Sequence, residues 1–335
     1  MQSPALLCPP VAPPLRLQPS IRVLLRCPAC ESMLADAAES LICTNTACLA
    51  IFPIVNGVPV LINEKTSIFR IRDFVDGHST TSAPRPKLIE MLDRLMPSIC
   101  VNTVAEANYA RFRGLLAGRD HLIRPRVLVI GAGVEGVGFQ ALRSQSSLDL
   151  VETDVSIAAN ISVVLDAHDI PFCDETFDGI IAQAVLEHVL DPYRCVAEIW
   201  RVLRPAGAVY AETPFMQQAH AVPYDFTRFT YLGHRRLFRR FEEVDSGIAT
   251  GPGMALAWAY YYFLRSFAKS TWTRRVLSAL GQLTGFWVKY FDRFVLTNEA
   301  AFDAAAGYFF MGRKSDQVLS DSDLLASFIG ASSHH

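Results

Sequence analysis

Residues 127–136 read VLVIGAGVEG, four apolar residues followed by a turn that contains Gly131 and Gly133. The apolar run is typical of a buried strand, and glycines in the turn before a helix allow a cofactor to approach the backbone closely. Asp154 follows the next apolar run, at the position where a carboxylate binds the ribose hydroxyls of a nucleotide cofactor, with Glu152 as the alternative. The pattern predicts a nucleotide-binding site at the carboxyl edge of a parallel sheet.

From residue 126 onward, strand-length apolar runs alternate with segments long enough for helices. This order builds parallel sheets from strand–helix–strand units. The predicted fold class is therefore α/β, with a doubly wound, Rossmann-like sheet of seven strands. The strands are expected over residues 127–130, 148–153, 161–165, 177–182 and 208–213, with an antiparallel hairpin of residues 241–246 and 307–312 at the sheet edge.

The chain has 335 residues, 51% of them hydrophobic, which is enough for one large domain and an accessory module. Its 31 basic and 33 acidic residues give no overall attraction for nucleic acid. No secretory leader or membrane-spanning run is evident, so a cytoplasmic protein is expected. The expected divisions are a disordered Pro-rich tail (1–20), a β ribbon (21–65), a linker with helices near 87–95 and 103–116 (66–120), the main domain (121–315) with a helical insertion (254–296), and a tail (316–335).

Two pairs of cysteines, Cys27 with Cys30 and Cys43 with Cys48, occupy short turns in the predicted ribbon. Four thiolates form a closed tetrahedral shell around zinc, so the metal would be structural. A segment of this size has too little core to be stable alone, which also favours a metal over four ordinary buried thiols. Short β runs are expected around the cysteines, over residues 22–25, 40–44, 51–55 and 58–62.

The ribbon sequence over residues 24–62, with its closing Phe52-Pro53-Ile54, resembles a family of small zinc proteins that activate tRNA, rRNA and release-factor methyltransferases. The resemblance implies a packing platform or a substrate-side lobe, without a catalytic role.

The glycine-rich turn and Asp154 would equally fit a dinucleotide-dependent oxidoreductase. Three later segments distinguish the two cofactor classes: DAHDIPF at 166–172, TFDGII at 176–181 and EIWRVLRPAG at 198–207. Their order and spacing are similar to those of class I S-adenosylmethionine-dependent methyltransferases of the type 11-like group. The resemblance implies S-adenosylmethionine as cofactor, with Asp166 accepting from the adenine amino group and the Ala167 backbone meeting the ring. The implied cofactor contacts are Gly131, Ala132, Gly133, Asp154, Asp166, Ala167 and Gln183.

Two positions depart from that family's pattern. Val129 stands where an acidic residue is usual, and Glu135 stands where a third glycine is usual. The methionine end of the cofactor is therefore expected to be held differently, and a non-catalytic cofactor-binding adaptor is one alternative function.

Candidate catalytic residues follow the fourth and fifth strands. His188 lies just beyond the fourth strand, and the loop after the fifth contains His220, Asp225 and Arg228. If the acceptor is a hydroxyl, His188 or His220 is the candidate base, and Arg228 would pair with an anionic group on the substrate. The alternatives are that His188 only supports the cofactor or caps a helix, and that Asp225 and Arg228 form a pair that caps the helix near Thr230.

The expected acceptor is an oxygen or nitrogen of a small molecule, glycan or glycolipid, because residues 220–228 resemble methyltransferases associated with bacterial polysaccharide and glycolipid assembly. An rRNA or tRNA methyltransferase is the second alternative. The aromatic insertion at 254–296 is expected to form a lid over the substrate or a peripheral membrane contact. The oligomeric state is not predicted.

Overall fold

The computed structural model describes residues 15–77, 95–117, 124–144 and 147–331. Its strands in chain order are β1 (Leu34–Asp36), β2 (Ser40–Cys43), β3 (Ile51–Val55), β4 (Val58–Leu61), β5 (Arg126–Ile130), β6 (Asp149–Asp154), β7 (Val163–Leu165), β8 (Phe177–Gln183), β9 (Leu203–Pro214), β10 (Phe241–Thr250) and β11 (Gly307–Lys314). Its α-helices are α1 (Pro19–Arg22), α2 (Ile71–Val75), α3 (Ala105–Leu116), α4 (Gln140–Arg143), α5 (Pro192–Val202), α6 (Tyr231–Leu237), α7 (Pro252–Ser266), α8 (Thr271–Gly285), α9 (Asp292–Val295) and α10 (Asp321–Ala326).

The described strands form one mixed sheet in the order β1-β2-β3-β4-β7-β6-β5-β8-β9-β11-β10. The strands from β7 to β9 in that order are parallel, and β11 pairs antiparallel with both β9 and β10. The predicted seven-stranded doubly wound sheet and its antiparallel hairpin are thus confirmed. Along β5, Leu128 and Ile130 pack into the core on one face, whereas Val127 and Val129 pack into the core on the other.

The ribbon extends this sheet. β4 pairs in parallel with β7, with Val60 opposite Val164 and Leu61 opposite Leu165, and both β4 residues are fully buried. Apolar side chains from the ribbon therefore share a core with the main domain, and the two cannot separate without exposing that surface to water.

The start of the ribbon differs from the prediction. The expected strand at 22–25 is wrong, because the chain forms α1, where Pro19 in the first turn already has the backbone angle that a helix needs. Pairing is limited there to single bridges of Leu25 and Arg26. The predicted disordered tail was given as residues 1–20, but Leu17 is already buried in the structure. Residues 1–14 lie outside the described part of the chain.

The predicted lead-in helix at 103–116 is present as α3, whose Tyr109 and Phe112 are buried. Phe112 packs directly on Gly179 of β8, where an added Cβ would lie 2.8 Å from the ring. The helix predicted at 87–95 lies outside the described residues except for residue 95.

The predicted helical insertion consists of α7, α8, a 3-10 turn (Val288–Phe291) and α9. α7 and α8 approach closely at Gly281 and Gly285, where added Cβ atoms would lie 3.2 and 3.0 Å from Tyr261 and Tyr260. Beyond the main domain, the predicted tail contains α10, which buries Leu324. None of the described helices combines the length and the apolar character needed to cross a bilayer.

Candidate cofactor and acceptor site

The carboxyl ends of β5, β6, β7 and β8 open onto one cleft, called the main cleft below. Parallel strands present loop residues together at this edge, which explains why residues distant in sequence meet here. The predicted site residues Gly131, Asp154, Asp166, Ala167 and His188 line it. Its other lining residues are Thr66, Ile68, Phe69, Ile130, Val155, Leu165, His168, Val185, Val189, Leu190, Asp191 and Arg194.

Asp154 fixes the glycine-rich turn. One carboxylate oxygen accepts the Gly133 N–H at 2.9 Å and the other accepts the Ser156 hydroxyl at 2.6 Å. Each oxygen keeps a further lone pair for a ligand. The alternative ribose ligand, Glu152, instead pairs with Arg143 and lies outside the lining of the main cleft.

Gly131 has a positive φ of 75°, and an added Cβ would collide with the Val185 side chain. A residue without a side chain is therefore required where the turn faces the main cleft.

Asp166 is buried and already engaged by the protein. It accepts the His168 backbone N–H at 3.0 Å, lies 2.5 Å from His168 Nδ1, and accepts the Ser67 hydroxyl at 2.6 Å. Burial alone would raise the pKa of Asp166, but the hydrogen bonds from His168 and Ser67 lower it below its ordinary value. Asp166 thus stays a carboxylate at the wall where an adenine amino group is expected. Ser67, contributed by the segment after the ribbon, was not foreseen.

A second, smaller cavity adjoins the other end of the glycine-rich turn, and Ala132 and Gln183 line it together with Tyr109. Gln183 accepts the Tyr109 hydroxyl at 2.8 Å and donates to Glu212 at 2.9 Å. Glu212 also accepts from Asn102 and Tyr210.

Burial raises the pKa of Glu212. Val129 and Glu135, the two departures from the family's pattern, line the same small cavity as Gln183. The only sequence signal for this polar network was an acidic residue within the apolar run of β9.

On the acceptor side, the structure brings His188 and His220 together. Ala184 takes a positive φ directly after β8 and turns the chain so that His188 reaches the main cleft. The two imidazole centroids are 5.0 Å apart. His188 Nδ1 lies 2.5 Å from the Tyr224 carbonyl oxygen, and His220 Nδ1 lies 3.2 Å from that of Gln218. The Tyr224 carbonyl can only accept, so His188 Nδ1 carries the proton and its Nε2 keeps a free lone pair. His220 Nδ1 also lies 3.4 Å from the Arg228 guanidinium, which can only donate, so its contacts are compatible with either tautomer.

Asp225 and Arg228 hold the loop that carries His220. Asp225 accepts the His220 backbone N–H at 2.6 Å and forms a paired contact with the Arg228 guanidinium. The remaining guanidinium donors bond the carbonyls of Gln217, Gln218 and Thr227. All the guanidinium N–H groups are thus used within the loop, a geometry that favours the alternative of an internal pair over a contact with a substrate anion. Burial alone would raise the pKa of Asp225, but its bonds to Arg228 and the His220 N–H lower it.

Glu187 is the residue that sequence reasoning missed on this side. It is fully buried, and neither carboxylate oxygen has a hydrogen-bond partner among the described residues. Burial raises the pKa of Glu187 to about 8 and lowers the pKa of the neighbouring His188. An acidic residue directly before a candidate histidine was the available signal.

The insertion packs against the acceptor-side loop. The Trp258 ring lies 6.0 Å from the His220 ring, and the Tyr262 hydroxyl donates to the Ala219 carbonyl at 2.8 Å. No residue of 254–296 lines the main cleft within the described chain.

In the ribbon, the four Sγ atoms of Cys27, Cys30, Cys43 and Cys48 lie within 4.8 Å of one another. Cys27 and Cys48 are 3.9 Å apart, and Cys30 and Cys43 are 3.4 Å apart. Sulfurs about 2.3 Å from a tetrahedral zinc ion stand about 3.8 Å from each other, so the donor set fits zinc.

Comparison with known proteins finds a family model that matches one segment of the chain and several solved structures with low similarity. Residues 128–211 match a family model described as a methyltransferase domain. A putative sarcosine dimethylglycine methyltransferase from Galdieria sulphuraria is 17% identical over 63% of this chain and 87% of that chain, with a TM-score of 0.39. A SAM-dependent methyltransferase from Archaeoglobus fulgidus is 14% identical over 68% and 99% of the two chains, with a TM-score of 0.40. Phosphoethanolamine N-methyltransferase 2 from Haemonchus contortus, solved with S-adenosyl-L-methionine, is 17% identical over 64% and 54%, with a TM-score of 0.40.

The matched residues run from β5 into β9 and so include the strands whose carboxyl ends form the main cleft. The family match and the cleft therefore coincide in the same part of the chain. Residues 128–211 are therefore similar to a methyltransferase domain.

Proposed function

We propose that this chain transfers a methyl group from S-adenosylmethionine to a hydroxyl oxygen of a small-molecule or glycan-type acceptor. The observation that carries the proposal is the pair of imidazoles His188 and His220, whose ring centroids are 5.0 Å apart and of which His188 lines the main cleft. A hydroxyl acceptor must lose a proton on methylation, whereas a free amine is already nucleophilic. Two imidazoles with available lone pairs therefore favour oxygen over nitrogen as the methylated atom.

Methyl transfer requires the acceptor oxygen to be aligned with the methyl group of the cofactor. The acceptor oxygen attacks the methyl carbon, the carbon–sulfur bond breaks with its electron pair returning to sulfur, and the hydroxyl proton leaves through the histidine side of the site. The chain's task is to align acceptor and cofactor and to exclude water. We assign cofactor binding to Gly131, Ala132, Gly133, Asp154, Asp166, Ala167 and Gln183, and the acceptor side to His188 and His220, with Asp225 and Arg228 as positioning residues.

The surface next to the acceptor side supports a lipid-linked or membrane-associated acceptor. On α7 and α8, Phe263 is 59% exposed and Trp272 is 70% exposed, beside Arg265 and Arg274. Exposed aromatic side chains next to basic residues favour binding to the interface of an anionic membrane. We propose that the insertion rests on such a surface while α7 holds the His220 loop.

The cysteine cluster is proposed to hold one structural zinc ion. Its geometry fits a closed four-thiolate shell. Since β4 joins the main sheet, and since Ser67 and Phe69 follow it at the main cleft, the metal would stabilise one wall of the cofactor site.

Methyl transfer from labelled S-adenosylmethionine tests the proposed acceptor class. The purified full chain would be offered sugars, nucleotide sugars, phenols, lipid-linked glycans, primary amines and total RNA. We expect label in hydroxyl-bearing small molecules or glycans. In His220→Ala, turnover on that acceptor should fall while affinity for S-adenosylhomocysteine is retained. Transfer to amines or RNA alone, or full turnover in His220→Ala, would contradict the proposal, and tight cofactor binding with no transfer to any class would support the adaptor alternative.

A further inference from the structure

Three potential metal ligands converge beside the main cleft. Glu187 Oε1 lies 3.7 Å from His188 Nε2 and 3.9 Å from His220 Nε2, and the three ligand atoms all lie within 4.8 Å of one another. Ligand atoms about 2.1 Å from one ion stand roughly 3.0 to 3.4 Å apart in octahedral or tetrahedral arrangements. The two separations from Glu187 Oε1 exceed that range by about 0.3 to 0.9 Å, so side-chain rotation would have to draw the three atoms together around a common ion.

The surroundings of both imidazoles suit metal binding. In protein metal sites, a ligating histidine almost always donates its other ring N–H to a carbonyl or carboxylate, which fixes the tautomer and the ring orientation. His188 does so through the Tyr224 carbonyl, and His220 Nδ1 lies 3.2 Å from the Gln218 carbonyl oxygen and 3.4 Å from the Arg228 guanidinium. The Glu187 backbone carbonyl also accepts the Phe226 N–H at 2.8 Å, which ties the loop to the same residue.

The buried carboxylate of Glu187 lacks compensation from the protein. Neither of its oxygens has a hydrogen-bond partner among the described residues, and the nearest strong cation, Arg228, is engaged by Asp225 and by loop carbonyls. An unpaired buried charge is costly, and metal coordination is one of the few arrangements that compensate it. By contrast, the equally buried Glu212 accepts hydrogen bonds from Asn102, Gln183 and Tyr210.

We propose that Glu187, His188 and His220 bind one divalent transition-metal ion at the acceptor end of the main cleft. Two imidazoles and one carboxylate leave coordination positions open, and the mixed donor set suits Mn²⁺, Fe²⁺ or Zn²⁺. With the ion bound, the lone pairs of both imidazoles would be metal ligands and no longer proton acceptors. An acceptor hydroxyl at an open position would then lose its proton to solvent, because a metal ion lowers the pKa of a coordinated oxygen. This role rests on the proposed hydroxyl acceptor, whereas the site itself does not.

Mn²⁺ is the probe that separates this site from the ribbon, because thiolates select softer ions such as zinc. The full chain would first be treated with chelator until elemental analysis finds only the ribbon zinc. It would then be titrated with Mn²⁺, and the electron paramagnetic resonance signal of free Mn²⁺ would report how much remains unbound. One Mn²⁺ per chain should bind without any acceptor present. Glu187→Gln and His220→Ala should each weaken binding by more than about tenfold, since loss of even a supporting residue costs about 10- to 100-fold. Glu212→Gln is the matched control, a buried carboxylate that should keep Mn²⁺ affinity.

Affinity for S-adenosylhomocysteine reports whether each variant is folded. The proposal is overturned if neither Mn²⁺ nor a second equivalent of Zn²⁺ binds the wild-type chain, or if a folded Glu187→Gln variant binds metal like the wild type. Methyl transfer that persists without metal overturns the role in the reaction but leaves the proposed acceptor class standing. Metal binding without transfer to any hydroxyl would overturn the proposed acceptor class but leave the metal site standing.

Discussion

Replacement of Asp154 by Ala should weaken cofactor binding by removing a charged acceptor at the rim of the main cleft. The carboxylate keeps lone pairs for both ribose hydroxyls while it holds the Gly133 N–H and the Ser156 hydroxyl. Hydrogen bonds to a charged group contribute about 1.5 to 3 kcal/mol each. Because the two are not independent, we expect a loss of about 2 to 4 kcal/mol, which corresponds to roughly 30- to 900-fold in dissociation constant at about 1.36 kcal/mol per factor of ten.

Isothermal titration calorimetry with S-adenosylhomocysteine measures this loss directly. Asp154→Asn, which keeps one carbonyl oxygen, should fall between Asp154→Ala and the wild type. Glu152→Gln is the matched control, because Glu152 pairs with Arg143 and lies outside the main cleft. Affinity within about threefold of wild type in Asp154→Ala, or an equal loss in Glu152→Gln, would refute the assignment of the ribose site.

Four further predictions concern other parts of the chain. Asp225→Asn should lower turnover by roughly tenfold, about 1.4 kcal/mol, with little change in cofactor affinity, because its charge holds the His220 loop. Cys43→Ser should reduce zinc below one per chain and lower Tm by about 3 °C, because a loss of about 2 kcal/mol is set against an unfolding entropy of about 0.7 kcal/mol/K in a chain of this size. Burial lowers the pKa of His234 from 6.5 to about 3. Between pH 6.5 and about 3 the imidazole is protonated in the unfolded chain but not in the folded one, so the folded state loses stability as pH falls. Tm should therefore drop over this pH range, and less steeply in His234→Leu. Replacement of Phe263 and Trp272 by Ser should weaken sedimentation with anionic vesicles by tenfold or more, since each buried aromatic contributes about 1.5 to 3 kcal/mol.

The parts of the fold that follow from local pattern were predictable from sequence. The strand at β5 and the glycine-rich turn follow from an apolar run and from glycines that a close approach requires, and Asp154 follows from its place after β6. The hairpin of β10 and β11 was foreseen from two apolar runs, although they are separated by a long helical insertion. The parallel pairing of β4 with β7 was not, because no local pattern indicates which edge of a sheet a separate module will extend.

The site was less predictable where its chemistry depends on contacts distant in sequence. Glu187 gave no periodic signal, and its importance appears only when the fold brings His220 to within 3.9 Å of its carboxylate. Arg228 has the residue type expected for a substrate anion, yet the loop carbonyls that engage its guanidinium cannot be read from sequence. Ser67 lies 99 positions from the Asp166 that it contacts.

Calorimetric binding of S-adenosylhomocysteine to the wild-type chain and to Gly131→Val tests the central claim most directly, namely that the cofactor lies in the main cleft against the glycine-rich turn. The wild type should bind one equivalent per chain. Gly131→Val should abolish binding, because the residue has a positive φ and its new side chain would meet Val185 at the wall of the main cleft. Melting curves would confirm that the variant is folded. Absence of binding by the wild type, or undiminished binding by a folded Gly131→Val variant, would contradict the placement of the cofactor.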